Sequence, residues 1–70
     1  MEMNQVTSST VQAIGYDDQT GTLRVEFIKS GTYDYYSVPQ DIYFAFLSAP
    51  SKGIFHNLYI KKGGYSYSRV

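Results

Sequence analysis

The sequence has no cysteine and no tryptophan, and its 70 residues include one histidine, His56. Without cysteine there is no disulfide framework, no thiolate metal site and no cysteine nucleophile. A lone histidine is too little for an ordinary zinc centre, so neither a metal nor a cofactor is expected. His56 has no acid close by in sequence and reads as a helix-surface or hydrogen-bonded residue. Net charge is also absent: six Lys+Arg offset six Asp+Glu, unlike a strongly basic nucleic-acid binder. The longest apolar run, Ile42 to Leu47, falls far short of the ~20 residues of a membrane span. The start, MEMNQVTSST, lacks the basic and apolar segments of a signal peptide. These absences point to one small, reduced domain, expected in the cytoplasm and away from membranes.

What the chain does have is aromatic residues: eight Tyr and four Phe. Size scaling gives such a chain a folded surface of ~4,400 Å², with roughly 60% of the unfolded surface buried. A core that small relies on its largest side chains, so most aromatics are expected inside.

Residues 1–8 are polar and unpatterned and are read as a flexible leader to a single domain over 9–70. Val11, Ala13, Ile14 and Tyr16 mark a first strand over Thr10 to Tyr16. The loop Asp17-Asp18-Gln19-Thr20-Gly21 has hairpin chemistry, and turn formation accounts for both aspartates. Thr22 to Phe27 alternates, with Leu23, Val25 and Phe27 on one face and Arg24 and Glu26 on the other. Lys29-Ser30-Gly31 is a second turn, and Thr32 to Val38 a third strand. Pro39 and Asp41 then suit a helix start, and Ile42, Ala45, Phe46 and Ala49 form its apolar stripe. After Pro50, Ser51 is a good N-cap for a second helix to about Lys62, with Phe55, Leu58 and Tyr59 as its stripe. Residues 65–70 alternate and read as a short fourth strand or a mobile tail. The expected fold class is α+β: a three-stranded antiparallel meander, then two helices packed on one face.

Several runs in this order resemble the KTSC domain: Ile14-Gly15-Tyr16-Asp17, Leu23-x-Val25-x-Phe27, and Gly31-x-Tyr33-x-Tyr35-x-x-Val38-Pro39. Ala49-x-Ser51-x-Gly53, Phe55, Asn57 and Ile60 continue the likeness, which covers roughly residues 9 to 67. That domain occurs at the C-terminus of some lysyl-tRNA synthetases and as free-standing bacterial proteins. The resemblance implies a small accessory module in an RNA-related setting, and no synthetase activity. This chain departs from a phosphate-binding sheet by being acidic through its first three strands.

Asp34 prefers water, so Tyr33 and Tyr35 are expected to face the helices, with Tyr36 pointing out beside Asp34. Residues 1–41 carry all six acids and two bases, whereas 42–70 carry four bases and no acid. Lys52, Lys61, Lys62 and Arg69 are therefore the candidate phosphate contacts, and Tyr36, Tyr65 and Tyr67 the candidate base-stacking residues. Helix-dipole compensation and ordinary solvation explain the same lysines without a ligand. Phe44, near the polar side of the first helix, is a candidate anchor for a protein partner or homodimer. Ser51-Lys52-Gly53 lacks the rest of a phosphate loop. No paired carboxylates or Ser/His/Asp set indicates an enzyme. Two readings follow: a weak RNA-binding accessory domain for tRNA or single strands, or a protein-interaction or self-association module.

Overall fold

Five strands form one antiparallel sheet in the order β1-β2-β3-β4-β5, each paired with its neighbours in sequence. They are β1 (Met3–Gln5), β2 (Val11–Asp17), β3 (Thr22–Phe27), β4 (Gly31–Tyr35) and β5 (Tyr67–Arg69). The computed structural model describes all residues, 1–70. Between β4 and β5 the chain forms α1 (Gln40–Ser48), α2 (Lys52–Phe55) and a π-helical segment, His56–Lys61. The fold is α+β, with an accessible surface of 4394 Å² that matches the size scaling.

The expected meander is present and is extended at both edges. Residues 3–5, placed in the leader, instead form β1, with Asn4 opposite Ile14. This strand carries no alternation of its own. It is held by backbone pairing and by Asn4, whose amide donates to the Tyr43 hydroxyl at 2.8 Å. Tyr43 in turn stacks on Tyr16 with ring centroids 5.0 Å apart, tying the edge strand to α1. At the other edge, Tyr67 pairs with Tyr35, so residues 67–69 form a strand.

The β2–β3 hairpin closes as its loop chemistry predicts. The Asp17 carbonyl accepts from the Gly21 amide at 2.8 Å, and its carboxylate accepts from the Gln19 amide at 3.0 Å. One sheet face carries Val11, Ile14, Leu23, Val25 and Tyr35, which meet Phe46 of α1 and Ile60 of the π segment in the core. α1 packs on α2 through the stacked rings of Phe46 and Phe55, 5.2 Å apart.

The second helix differs from expectation after its first turn. Ser51 caps it, its hydroxyl accepting from the Ile54 amide at 3.3 Å. From His56 onward the helix widens to i→i+5 periodicity. Ile60 is therefore the buried residue of this segment, while Leu58 and Tyr59 of the expected stripe are exposed, although the Tyr59 ring still lies 4.7 Å from that of Phe55. An α-helical wheel applied to this segment has the wrong phase.

Candidate functional site

The register sorts the tyrosines by face. β3–β4 and β4–β5 pairing aligns Leu23, Tyr35 and Tyr67 in one row, and Val25, Tyr33 and Arg69 in the next. These rows face the helices. Arg24, Asp34 and Ser68 align on the opposite face. Tyr33 and Tyr35 thus face the helical layer as expected; Tyr35 is buried and Tyr33 half-buried.

Asp34 does lie on the opposite face, but it is 8% exposed rather than open to water. Arg24 covers it with two parallel bonds, Nε to Oδ1 at 2.7 Å and Nη2 to Oδ2 at 2.9 Å. This fork geometry satisfies a carboxylate that is costly to bury alone. Tyr36 stays partly exposed on that face, and its hydroxyl meets the Ser68 hydroxyl.

On the helical side, the helices leave the β4–β5 half of the sheet partly uncovered. A cleft of about 410 Å³ opens there between the sheet and the π segment. Tyr33, Tyr35 and Tyr67 line its sheet side, and His56, Asn57 and Lys61 its helical side, with Tyr65 also lining it. No carboxylate lines it. Tyr67 is 64% exposed, and its ring centroid is 5.7 Å from that of Tyr35 and 6.2 Å from that of Tyr33. The widened helix turn puts His56 and Lys61 in i, i+5 relation, so both reach this cleft. Gly63 leaves no room for a side chain beside this cleft: a Cβ there would clash with the Tyr59 carbonyl and lie 2.8 Å from the Tyr65 ring.

His56, expected as a helix-surface or hydrogen-bonded residue, is hydrogen-bonded, and it also lines the cleft, which the sequence reading does not foresee. Its Nε2 hydrogen-bonds the Tyr35 hydroxyl at 2.8 Å, and its ring meets Phe27 edge-on at 4.8 Å. Burial, with a smaller contribution from Lys61, holds its pKa below the ordinary histidine value. Burial, followed by Tyr33 and Tyr67, raises the Tyr35 pKa. At neutral pH the pair is thus a neutral imidazole and an intact phenol. Nδ1 makes no hydrogen bond within the protein and is not sealed from solvent. Only the cross-strand register and the π turn bring this residue to the tyrosines, and neither has a local sequence signal.

The other candidates are dispersed. Lys62 is exposed beyond the π segment. Lys52 lies by a separate hydroxyl-rich depression with Ser8, Ser9 and Ser51, and its ammonium donates to the Ala49 carbonyl. Arg69 is exposed on β5, with its guanidinium over Gly31, where a Cβ would come within 3.0 Å. Tyr65, Tyr67 and Lys61 are thus brought together; Tyr36 is on the other face and Lys52 at another opening. Phe44 is 53% exposed, its ring tilted against Tyr43. No three His, Cys, Asp or Glu side chains cluster as metal ligands, and no helix is long and apolar enough to cross a membrane.

Comparison with known proteins agrees with this architecture. An uncharacterized protein of Stutzerimonas stutzeri is 34% identical over 70 residues, spanning 100% of this chain and 99% of its own. A protein of Tsukamurella paurometabola is 39% identical over 59 residues, 84% of this chain and 88% of that one. A lysine–tRNA ligase of Nostoc punctiforme is 36% identical over 53 residues, 76% of this chain but 9% of the ligase. The crystal structure of a KTSC domain protein from Yersinia pestis superimposes with a TM-score of 0.94 at 36% identity, covering 99% of this chain and 96% of that one. The KTSC domain profile matches residues 7–70, and the chain belongs to the KTSC domain family.

Proposed function

We propose that this protein is a non-catalytic accessory module that binds single-stranded RNA weakly. The observation that carries the reading is the meeting of Tyr67, Tyr65 and Lys61 around a carboxylate-free aromatic cleft. Single-stranded nucleic acid is held by such a combination: rings for the bases and cations for the phosphates. The basic C-terminal part of the chain supplies Lys61 in the cleft, Arg69 on the bordering strand β5 and Lys62 just beyond the π segment, while Lys52 stands apart. Occurrence of a related segment within a lysine–tRNA ligase supports an RNA setting.

Four cations are a small footprint. If all met phosphate, log K would fall with log[salt] with a slope of only about −2.8 on single strands. The test is an amide NMR titration with mixed short single-stranded RNA and bulk tRNA, at low and physiological salt. Salt-sensitive shifts on Lys61, Lys62 and Tyr65–Arg69 are expected, and their loss on replacing Lys61 and Lys62 by Glu. A silent spectrum, or unchanged affinity in that variant, overturns the reading.

A second reading rests on a different surface. Ile42, Ala45, Ala49, Phe55 and Tyr59 line a shallow apolar groove between α1 and the second helix. Such a groove favours self-association, in which Phe44 is not a lining residue. Sedimentation at high salt separates the two, since an apolar dimer persists where phosphate contacts are screened.

A further inference from the structure

We infer that the cleft between the π segment and β4–β5 is a pocket for one unstacked nucleobase and its phosphate, with the base against Tyr67 and the phosphate at Lys61. The inference deepens the RNA reading and rests on it for the source of the nucleotide. The shared chemistry is that of a nucleoside phosphate, whether within a strand or free.

Size is the first argument. At about 410 Å³ the cleft lies near the lower end of small-molecule sites, roughly 300–1,000 Å³, and suits a single nucleotide unit rather than several stacked bases. Its walls are the second. Tyr67 presents an open ring at the mouth, while Tyr35 and His56 form a T-shaped pair behind it at 5.7 Å. Aromatic faces of this kind accept any base by stacking. Charge is the third: Lys61 is exposed at the rim, and no lining acid opposes an anion.

The floor adds a way to observe occupancy. The Tyr35–His56 hydrogen bond engages Nε2, so Nδ1 is the one ring nitrogen left for a ligand. The imidazole touches Tyr35 and Phe27, and the other titratable groups that share the cleft with it are Tyr33 from β4, Tyr67 from β5, and Lys61 and Tyr65 from the π segment and the turn after it. Lys61 is the only lysine or arginine among them, and there is no carboxylate. A phosphate placed at Lys61 offsets that charge and draws the His56 titration upward, whereas a base without phosphate does not.

The experiment uses the labelled full chain, followed by amide and His56 ring NMR. The probes are adenosine, AMP, UMP, inorganic phosphate and a hexauridylate strand. AMP, UMP and the hexamer are expected to shift one set of residues, His56, Asn57, Lys61, Tyr65 and Tyr67, and to raise the His56 titration midpoint. Adenosine is expected to move the Tyr67 and His56 rings without raising that midpoint, and phosphate alone to do little. Tyr67→Ala should weaken AMP binding about tenfold, the effect of one lost base stack. Because that change also removes the Tyr67 ring from its β4 neighbours, Lys61→Gln is the second variant; it should reduce the salt slope for the hexamer by about 0.7.

Hexamer shifts confined to Lys52, Lys62 or Tyr36, with a silent cleft, overturn the pocket and leave the RNA reading standing. AMP in the cleft with no response to the hexamer or to tRNA supports the pocket, assigns it to a free nucleotide and overturns the RNA reading. Silence towards all probes overturns both. A wild-type salt slope in Lys61→Gln removes the phosphate assignment.

Discussion

The helical face of the sheet is used in two ways. Over β2 and β3 its centre is filled by aliphatic residues, Val11, Ile14, Leu23 and Val25, all fully buried beneath the helical layer, with half-buried Tyr16 and Phe27 at its ends. Over β4 and β5 the same face bears tyrosines, and cover diminishes from buried Tyr35 to exposed Tyr67. An aliphatic row must be sealed to be useful, because its only contribution is area removed from water. A tyrosine row can be left half open, since each ring has an apolar body and a polar tip. The contrast separates a half whose face is sealed from a half whose face is left partly open to solvent.

The largest test of that contrast is at Phe46, the biggest fully buried side chain. Phe46→Ala is expected to cost about 3–5 kcal/mol, read from urea unfolding. A domain of this length has only about 3.5–10 kcal/mol in total at typical values per residue, so the variant should be largely unfolded or close to it. Next comes the Arg24–Asp34 pair, which pins β4 to β3 from the opposite face. Arg24→Met leaves a nearly buried carboxylate without its cation and should cost roughly 3 kcal/mol. Adding Asp34→Leu should restore much of the loss, because no unpaired charge then remains. Tyr67→Ala is expected to change unfolding stability by only about 0.5 kcal/mol, as exposed positions do. A loss as large as that at Phe46 would erase the distinction between the halves.

The smallest effect is the pH response of His56. Its folded pKa is lowered, so on acidification the unfolded chain takes up a proton first, near the ordinary value of about 6.5. Stability from this group is therefore fully present above that value and is lost as pH falls from it towards the folded pKa. Thermal melts from about pH 7 to 5 should show this decline in the wild type, and a shallower one in His56→Gln.

The two halves also differ in how far they could be read from sequence. β2, β3 and most of β4 were legible because alternation, hairpin loops and facing all agreed there, as at Leu23, Val25 and Phe27. The start of α1 was equally plain from Pro39 and Asp41. β1 left no trace because Met3, Asn4 and Gln5 owe their strand to pairing and to the Tyr43 hydroxyl, both long-range. The π turn was hidden because periodicity arguments assume a fixed pitch, and a change of pitch moves burial from Tyr59 to Ile60. Asp34 is expected in water but lies covered, because its partner arrives across the sheet. At the candidate site, composition singled out Tyr65, Tyr67 and Lys61, but His56 required the register and the π turn together.

The placement of both helices between β4 and β5 has a consequence for how the chain folds. β2, β3 and β4 join through hairpins whose ends are close in sequence, so they can pair early and with little loop entropy. Contacts such as Tyr36–Ser68 span 32 positions, so pairing β5 closes a much longer loop than the hairpins do. The last strand should therefore be the last to arrive and the first to detach. Amide exchange is expected to be slowest on β2 and β3 and fastest among the strands at Tyr67–Arg69. The wall of the cleft would then open and close more readily than the core beneath it, so that a ligand entering there meets a hinged panel rather than a rigid slot.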